Sequence, residues 1–340
     1  MSFKLPDPRL ADPVFLAGNM TDAQYLSSGT NSDVWRIALG RGQSYVLRVR
    51  RLHRDLFTDI NNPPRIETWK GAPMEARAAQ PLALFHATDA DGKVREVADV
   101  QPELMGNLLG LMHDEQDART NKIHEFLTET DGWGRPAGSP SVRYEFNHDA
   151  VQKVNQRLWG VADRIASMPL SFFVQMIKDA KEIEENGYGI DPSKGANFML
   201  LEGENRIGFI DLMPKDDFNY RLTPHALATV LWQPANQTWA GKESEAQTAK
   251  RAAMNDILHA KMIAACDHAR IAYTHTQSAQ DKEHDLRVRF GLEKPRNIRA
   301  IRLHDNHSPF GHYGVTSKDI VVPQRDDAVT FPAPLARFSL

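Results

Sequence analysis

The chain has 340 residues, 41% hydrophobic and 25% charged, with a formal net charge of −3. That length suffices for two domains or two lobes of one larger fold, and the near-neutral charge provides no global attraction to nucleic acid or to an anionic lipid surface. No run of about eighteen apolar residues occurs, so no membrane-spanning helix is expected. The single cysteine, Cys266, excludes an intramolecular disulfide framework, fits a reducing compartment and reads as a small buried apolar residue. The opening MSFKLPDPRLADP lacks the apolar stretch of a secretory signal. A cytoplasmic protein is expected, with export by a specialised bacterial secretion system left open.

Residues 1–24 hold Pro6, Pro8 and Pro13 and read as an irregular arm laid over the first sheet. Strand-like patterning follows over Tyr25–Ser28, Asp33–Leu39 and Ser44–Arg51, the last two joined by a turn at Gly40-Arg41-Gly42-Gln43. The Ala-, Glu- and Arg-rich stretch 71–85 predicts a helix around Met74, Ala78 and Leu82. Asp91-Gly92 then marks a tight turn before a strand over Val94–Val100. A β-rich unit over 25–103 is the expectation.

The character changes over 104–279. Residues 147–186 read as helix, interrupted at Met168-Pro169, with Phe173, Met176, Ile177, Ala180 and Ile183 forming one apolar stripe. Asn186-Gly187 is a suitable carboxy-terminal cap. Residues 222–232 and 243–276 also read as helices, whereas 280–340, with Pro309, Pro323, Pro332 and Pro334, read as an irregular extension with a few strands.

The segment Tyr188–Leu212, YGIDPSKGANFMLLEGENRIGFIDL, carries the strongest chemical signal. Phe198–Leu201 and Arg206–Ile210 are apolar runs around the turn-forming Glu202-Gly203-Glu204-Asn205, which predicts a β-hairpin. Asn197 enters that hairpin and Asp211 leaves it, so antiparallel pairing places both at one end, where oxygen ligands can converge on a divalent cation. The plainer alternative is that both side chains cap strand ends. Upstream, Gly29 among Ser28, Thr30, Asn31 and Ser32 makes a loop whose backbone N–H groups can approach phosphate, or an ordinary turn before a strand.

These two windows resemble the protein-kinase-like superfamily, which includes protein kinases, aminoglycoside and choline kinases and bacterial effector kinases. The resemblance spans roughly residues 25–215 and implies a two-lobed α+β fold, with a small β-rich N-lobe and a larger helical C-lobe. It implies ATP and Mg²⁺ as cofactors and a hydroxyl of a protein or small molecule as phosphoryl acceptor. Gly29, Asn31 and Ser32 take the place of the nucleotide-covering loop. Arg48 stands where the family has a phosphate-gripping lysine, a change of reach and geometry. Glu75, with Glu67 as runner-up, takes the place of the helix glutamate that orients that cation; the bland alternative is a solvated glutamate. Asn197 and Asp211 take the metal-binding positions, with Leu212-Met213 in place of the usual Phe-Gly. Asp191 takes the catalytic aspartate's role six residues before Asn197 rather than five, and Lys194 that of a lysine facing the transferred group.

The departures leave a second reading open, a catalytically weak or inactive pseudokinase acting as a protein-binding module. Neither a nucleic-acid partner nor a membrane span is expected. His304, His307 and His312 suggest a zinc site only weakly, since ordinary polar loops carry such spacings. Trp232 and Trp239 flank Pro234 and suggest either a surface groove or burial, and Asp216 and Asp217 either bind a cationic acceptor or are solvated.

Overall fold

The computed structural model describes residues 5–20, 23–28, 31–39, 44–68, 74–214, 222–238, 244–274, 276–292 and 316–324. Gly29, Trp239, Asp216, Asp217 and the three histidines of 304–312 lie outside them. The fold is mixed α+β, an antiparallel sheet followed by a helix-rich body.

The described part of the arm expected over 1–24 is not irregular. A 3-10 turn at Pro8–Ala11 and helix α1 (Pro13–Asn19) both begin with proline, whose missing N–H is no loss in a first helical turn. Asp7 caps the first through Arg9 N, and Asp12 caps the second through Val14 N and Phe15 N. Leu10 and Leu16 are thereby buried against the sheet.

That sheet comprises β1 (Gln24–Ser28), β2 (Ser32–Ala38), β3 (Ser44–Arg50), β4 (Arg65–Thr68), β5 (Ala83–Thr88) and β6 (Val94–Pro102), in the order β1-β2-β3-β6-β5-β4. Helix α2 (Arg54–Thr58) follows β3 and buries Phe57 edge-on to Phe85. Alternation along β3 sends Tyr45, Leu47 and Val49 into the apolar cluster with Leu10, Trp35 and Phe85. Val46, Arg48 and Arg50 therefore share the opposite face.

The helix predicted over 71–85 is absent from its described part: 83–88 is strand β5, and 74–82 runs as an extended strap. Pro81 disfavours helical geometry at Gln80, and the seven residues between Pro73 and Pro81 are too few to support an isolated helix. The strap's main-chain N–H groups find partners outside it instead. Glu182 accepts from Glu75 N and Ala76 N, both at 2.7 Å, and Ala79 N donates to Phe209 O at 2.8 Å.

The helix-rich body opens with β7 (Gly106–Leu108) and α3 (His113–Ala118). Next comes a ribbon that the expectation of a helical unit over 104–279 omitted, β8 (Thr120–Phe126) paired with β9 (Pro140–Phe146). Then come α4 (His148–Ser167) and α5 (Leu170–Glu185), broken at Met168-Pro169 as predicted, with the whole apolar stripe of α5 buried. Asn186 is the cap residue and Gly187 has φ 81°. The short strand β10 (Tyr188–Gly189) leads to the hairpin β11 (Phe198–Leu201) and β12 (Ile207–Phe209), and β13 (Met213–Pro214) pairs back with β10.

Helices α6 (Pro224–Gln237), α7 (Glu245–Ala269) and α8 (Gln277–Phe290) complete the body. The last extends into residues expected to be irregular, and Ser317 docks on α5 through Glu185. Cys266 is buried as expected. Trp232 packs against the body's core and donates its indole N–H to Arg251 O, so it does not form an open groove.

On α7, His259 is 2% exposed and hydrogen-bonded to the Tyr273 hydroxyl. Burial, then the charge of Lys282 and the neighbouring His225, depress its pKa from 6.5 to about 2. In the unfolded chain the ring takes a proton below about pH 6.5, which the folded site refuses. Stability should therefore be intact above pH 6.5 and fall by about 1.4 kcal/mol per pH unit as acid is added below it. Urea midpoints at pH 7.5, 6 and 5 will show this slope, and His259→Gln will flatten it.

Candidate functional site

Residue pairing across the sheet decides what surrounds Arg48. In the β3–β6 register Arg48 lies opposite Asp99, so the two side chains share a face. Asp99 is 0% exposed. Arg48 donates to it from Nε at 3.0 Å and from Nη2 at 3.0 Å, and Gln101 adds an amide bond at 2.7 Å. Burial pushes the Asp99 carboxyl above its ordinary value, against the pull of Arg48 and Arg50. Burial also works against the Arg48 charge, but Asp99 and then Asp211 outweigh it and hold the guanidinium protonated.

The remaining donor of Arg48, Nη1, reaches Asp211 Oδ1 at 2.5 Å. One guanidinium thus joins the sheet to the hairpin of the helix-rich body. Asp211 has φ 59°, in the left-handed region that Asp tolerates better than most residues but that still costs about 1 kcal/mol. Its side chain is 40% exposed, and Oδ2 has no partner among the described residues.

The hairpin sets Asn197 beside it. Phe198 pairs with Phe209, and Ile210 N donates to Asn197 O at 2.8 Å, so Asn197 and Asp211 stand at one end, as predicted. The Asn197 amide nitrogen donates to Asp191 O at 3.2 Å, and its Oδ1 has no partner among the described residues. From the other side, Tyr188 pairs with Pro214 and Gly189 with Met213. That pairing ends two residues short of Asp191 on one strand and two residues after Asp211 on the other.

Asp191 is itself held. Its Oδ1 accepts from Ser193 N at 2.9 Å and Ser193 Oγ at 2.6 Å, while Oδ2 lies 3.8 Å from Lys194 Nζ. The Lys194 side chain is 61% exposed. The loop's backbone is stapled from α6 by Gln233, whose Nε2 donates to Pro192 O and Ser193 O at 3.0 Å each and whose Oε1 accepts from Gly195 N. Gly195 and Gly110 pack backbone to backbone there, and a Cβ on Gly110 would meet Ala196 N at 2.5 Å.

Not every predicted residue joins this group. The Glu75 side chain is 77% exposed and pairs with Lys178, because the strap that carries it faces α5 rather than Arg48. Glu67 is exposed on β4, with β5 and β6 between it and β3. Asp99, rather than Glu75 or Glu67, is the buried carboxylate paired with Arg48. Ser32 Oγ accepts from Arg50 Nη1 at 3.0 Å, and Asn31 is exposed, its carbonyl bound to Arg51 N at 2.9 Å. Asp99 and Gln233 were missed; a lone carboxylate in the apolar run Val97–Val100 and a lone amide in Leu231–Ala235 were their only marks in the sequence.

Among the described residues no group of three or more His, Cys, Asp and Glu side chains is arranged to hold a metal ion. The free oxygens of Asn197 and Asp211 fit a hard cation that takes its other ligands from phosphate and water. The chain matches no protein-family model and no curated protein.

Arg48→Met removes the cation beside a fully buried carboxylate and should lower unfolding free energy by about 3–5 kcal/mol. Asp99→Asn should cost less than that, because Gln101 and Arg48 can still hydrogen-bond to the amide oxygen. Equilibrium denaturation of both variants measures the difference.

Proposed function

We propose that the protein is an ATP- and Mg²⁺-dependent phosphotransferase with a kinase-like two-lobed architecture, acting on a hydroxyl of a protein or small molecule. The observation that carries this reading is the contact of Arg48 with Asp211 where the sheet meets the helix-rich body, beside Asn197, whose amide is bonded to the main chain of Asp191. Positive φ at Asp211 supports it, since strained backbone concentrates at functional sites.

In this reading Arg48, braced by Asp99, binds the phosphates of the nucleotide on the polar face of the sheet. Asn197 Oδ1 and Asp211 hold Mg²⁺, which neutralises phosphate charge. Asp191, fixed by Ser193 and the Gln233 staple, orients the acceptor hydroxyl and takes its proton. Lys194, 3.8 Å from Asp191, offsets charge on the transferred group. Positioning and charge stabilisation account for most of the acceleration in such a reaction. Ser28 pairs with Asp33 and Ser32 with Arg50 on the strands that flank Gly29 in the sequence, which suits the phosphate-covering part in this reading.

One observation favours the pseudokinase alternative: Asp211 Oδ1, an oxygen a metal would use, is engaged by Arg48. Nucleotide binding with and without Mg²⁺ separates the readings. The parent should bind ATP more tightly with Mg²⁺, and Asp211→Ala should lose that increment. Transfer of labelled phosphate should fall by about 10²–10⁴-fold in Asp191→Ala. Absence of ATP binding by the parent defeats the enzyme reading. Binding without transfer to any acceptor supports the pseudokinase.

A further inference from the structure

Helix α4 carries a face that the fold does not explain. A groove of about 390 Å³ runs along it, lined by Asn107, Lys153, Gln156, Arg157, Gly160, Val161, Arg164 and Leu200. Lys153, Arg157 and Arg164 recur at helical spacing, a like-charge arrangement that weakens a helix. Only Arg157 is neutralised, held by Glu115 at 2.6 Å and bonded to the carbonyls of Leu108 and Gly110. Arg164 reaches no carboxylate among the described residues, its one bond being to Leu201 O at 3.4 Å. The side chains of Lys153, Gln156 and Asn107 have no hydrogen-bond or ion-pair partner among the described residues.

Gly160 is the second anomaly. A glycine inside a 20-residue helix costs about 1 kcal/mol relative to alanine, and here a Cβ would meet nothing within 4 Å. Packing does not require it. What the missing side chain leaves is an open floor between two unneutralised cations, with Val161 and Leu200 beneath.

We propose that this groove binds an extended acidic segment of a partner or substrate protein. The argument is charge complementarity combined with length. Lys153 and Arg164 are separated by roughly 16 Å along the helix axis at 1.5 Å per residue. That span exceeds a single phosphate group and matches about five residues of extended chain at ~3.3 Å each. Carboxylates at both ends of such a segment meet Lys153 and Arg164, apolar side chains between them lie over Gly160 and Leu200, and the amides of Asn107 and Gln156 hydrogen-bond its backbone. This inference does not depend on the phosphotransfer reading, because none of its residues belongs to the Arg48–Asp211 site.

Fluorescence anisotropy with a labelled Glu-Glu-Leu-Ser-Leu-Glu-Glu peptide tests it on the full chain. The parent should bind, more weakly as salt is raised, and should ignore the same peptide with glutamine for glutamate. Arg164→Glu and Lys153→Glu should each weaken binding about tenfold, equivalent to about 1.4 kcal/mol. Gly160→Leu should do the same by filling the floor, with a thermal midpoint no lower than the parent's, which separates blocked binding from damaged folding. No binding by the parent, or equal binding by the parent and the two charge-reversal variants, overturns the proposal. Calorimetric binding of inorganic tripolyphosphate without binding of the peptide overturns it as well, in favour of a small polyanion.

Discussion

One guanidinium organises the junction between the sheet and the helix-rich body. Arg48 is anchored by Asp99 across the β3–β6 pair and reaches Asp211 with its remaining donor. A planar fork suits this task, because two edges can address two carboxylates at once, whereas an ammonium is a single point of charge. The buried carboxylate is tolerable only while the cation stays. Sheet register, cation and hairpin end are therefore mutually dependent.

Around this centre the main chain is fixed by side chains that have no chemistry of their own to perform. Glu182 holds the strap at Glu75 and Ala76, Gln233 holds the loop after Asp191, and Gln237 holds Leu111 N at 2.8 Å. Each supplies partners for backbone groups that irregular segments leave unpaired. Such groups are costly when buried, so these amides and carboxylates make the non-repetitive segments as definite as strands.

Patterns with a regular period could be read from the chain, and long-range pairings could not. The breaks at Met168-Pro169 and Asn186-Gly187, the apolar stripe of α5 and the hairpin ending at Asp211 all follow from local rules, and the structure has them. The helix expected over 71–85 illustrates the limit. Its composition favours helix, but the prolines at 73 and 81 and the carboxylate of Glu182, more than 100 residues away, favour extended backbone. The same blindness misplaced the partner of Arg48: Glu75 was nominated by its expected helix, whereas Asp99 is identified only by which residue of β6 faces which residue of β3. The β8–β9 ribbon escaped for a different reason, since its alternation is interrupted by Lys122 and His124 on its otherwise apolar face.

The strap also bears on how the junction at Arg48 can be adjusted. A carboxylate borne on a separate helix can swing toward or away from its cation, and the cation is then armed or disarmed without unfolding anything. Asp99 lies in the strand next to Arg48 and moves only if the sheet itself opens. The cation is consequently set in place when the sheet forms, and adjustment is left to the half-exposed carboxylate of Asp211, which meets solvent.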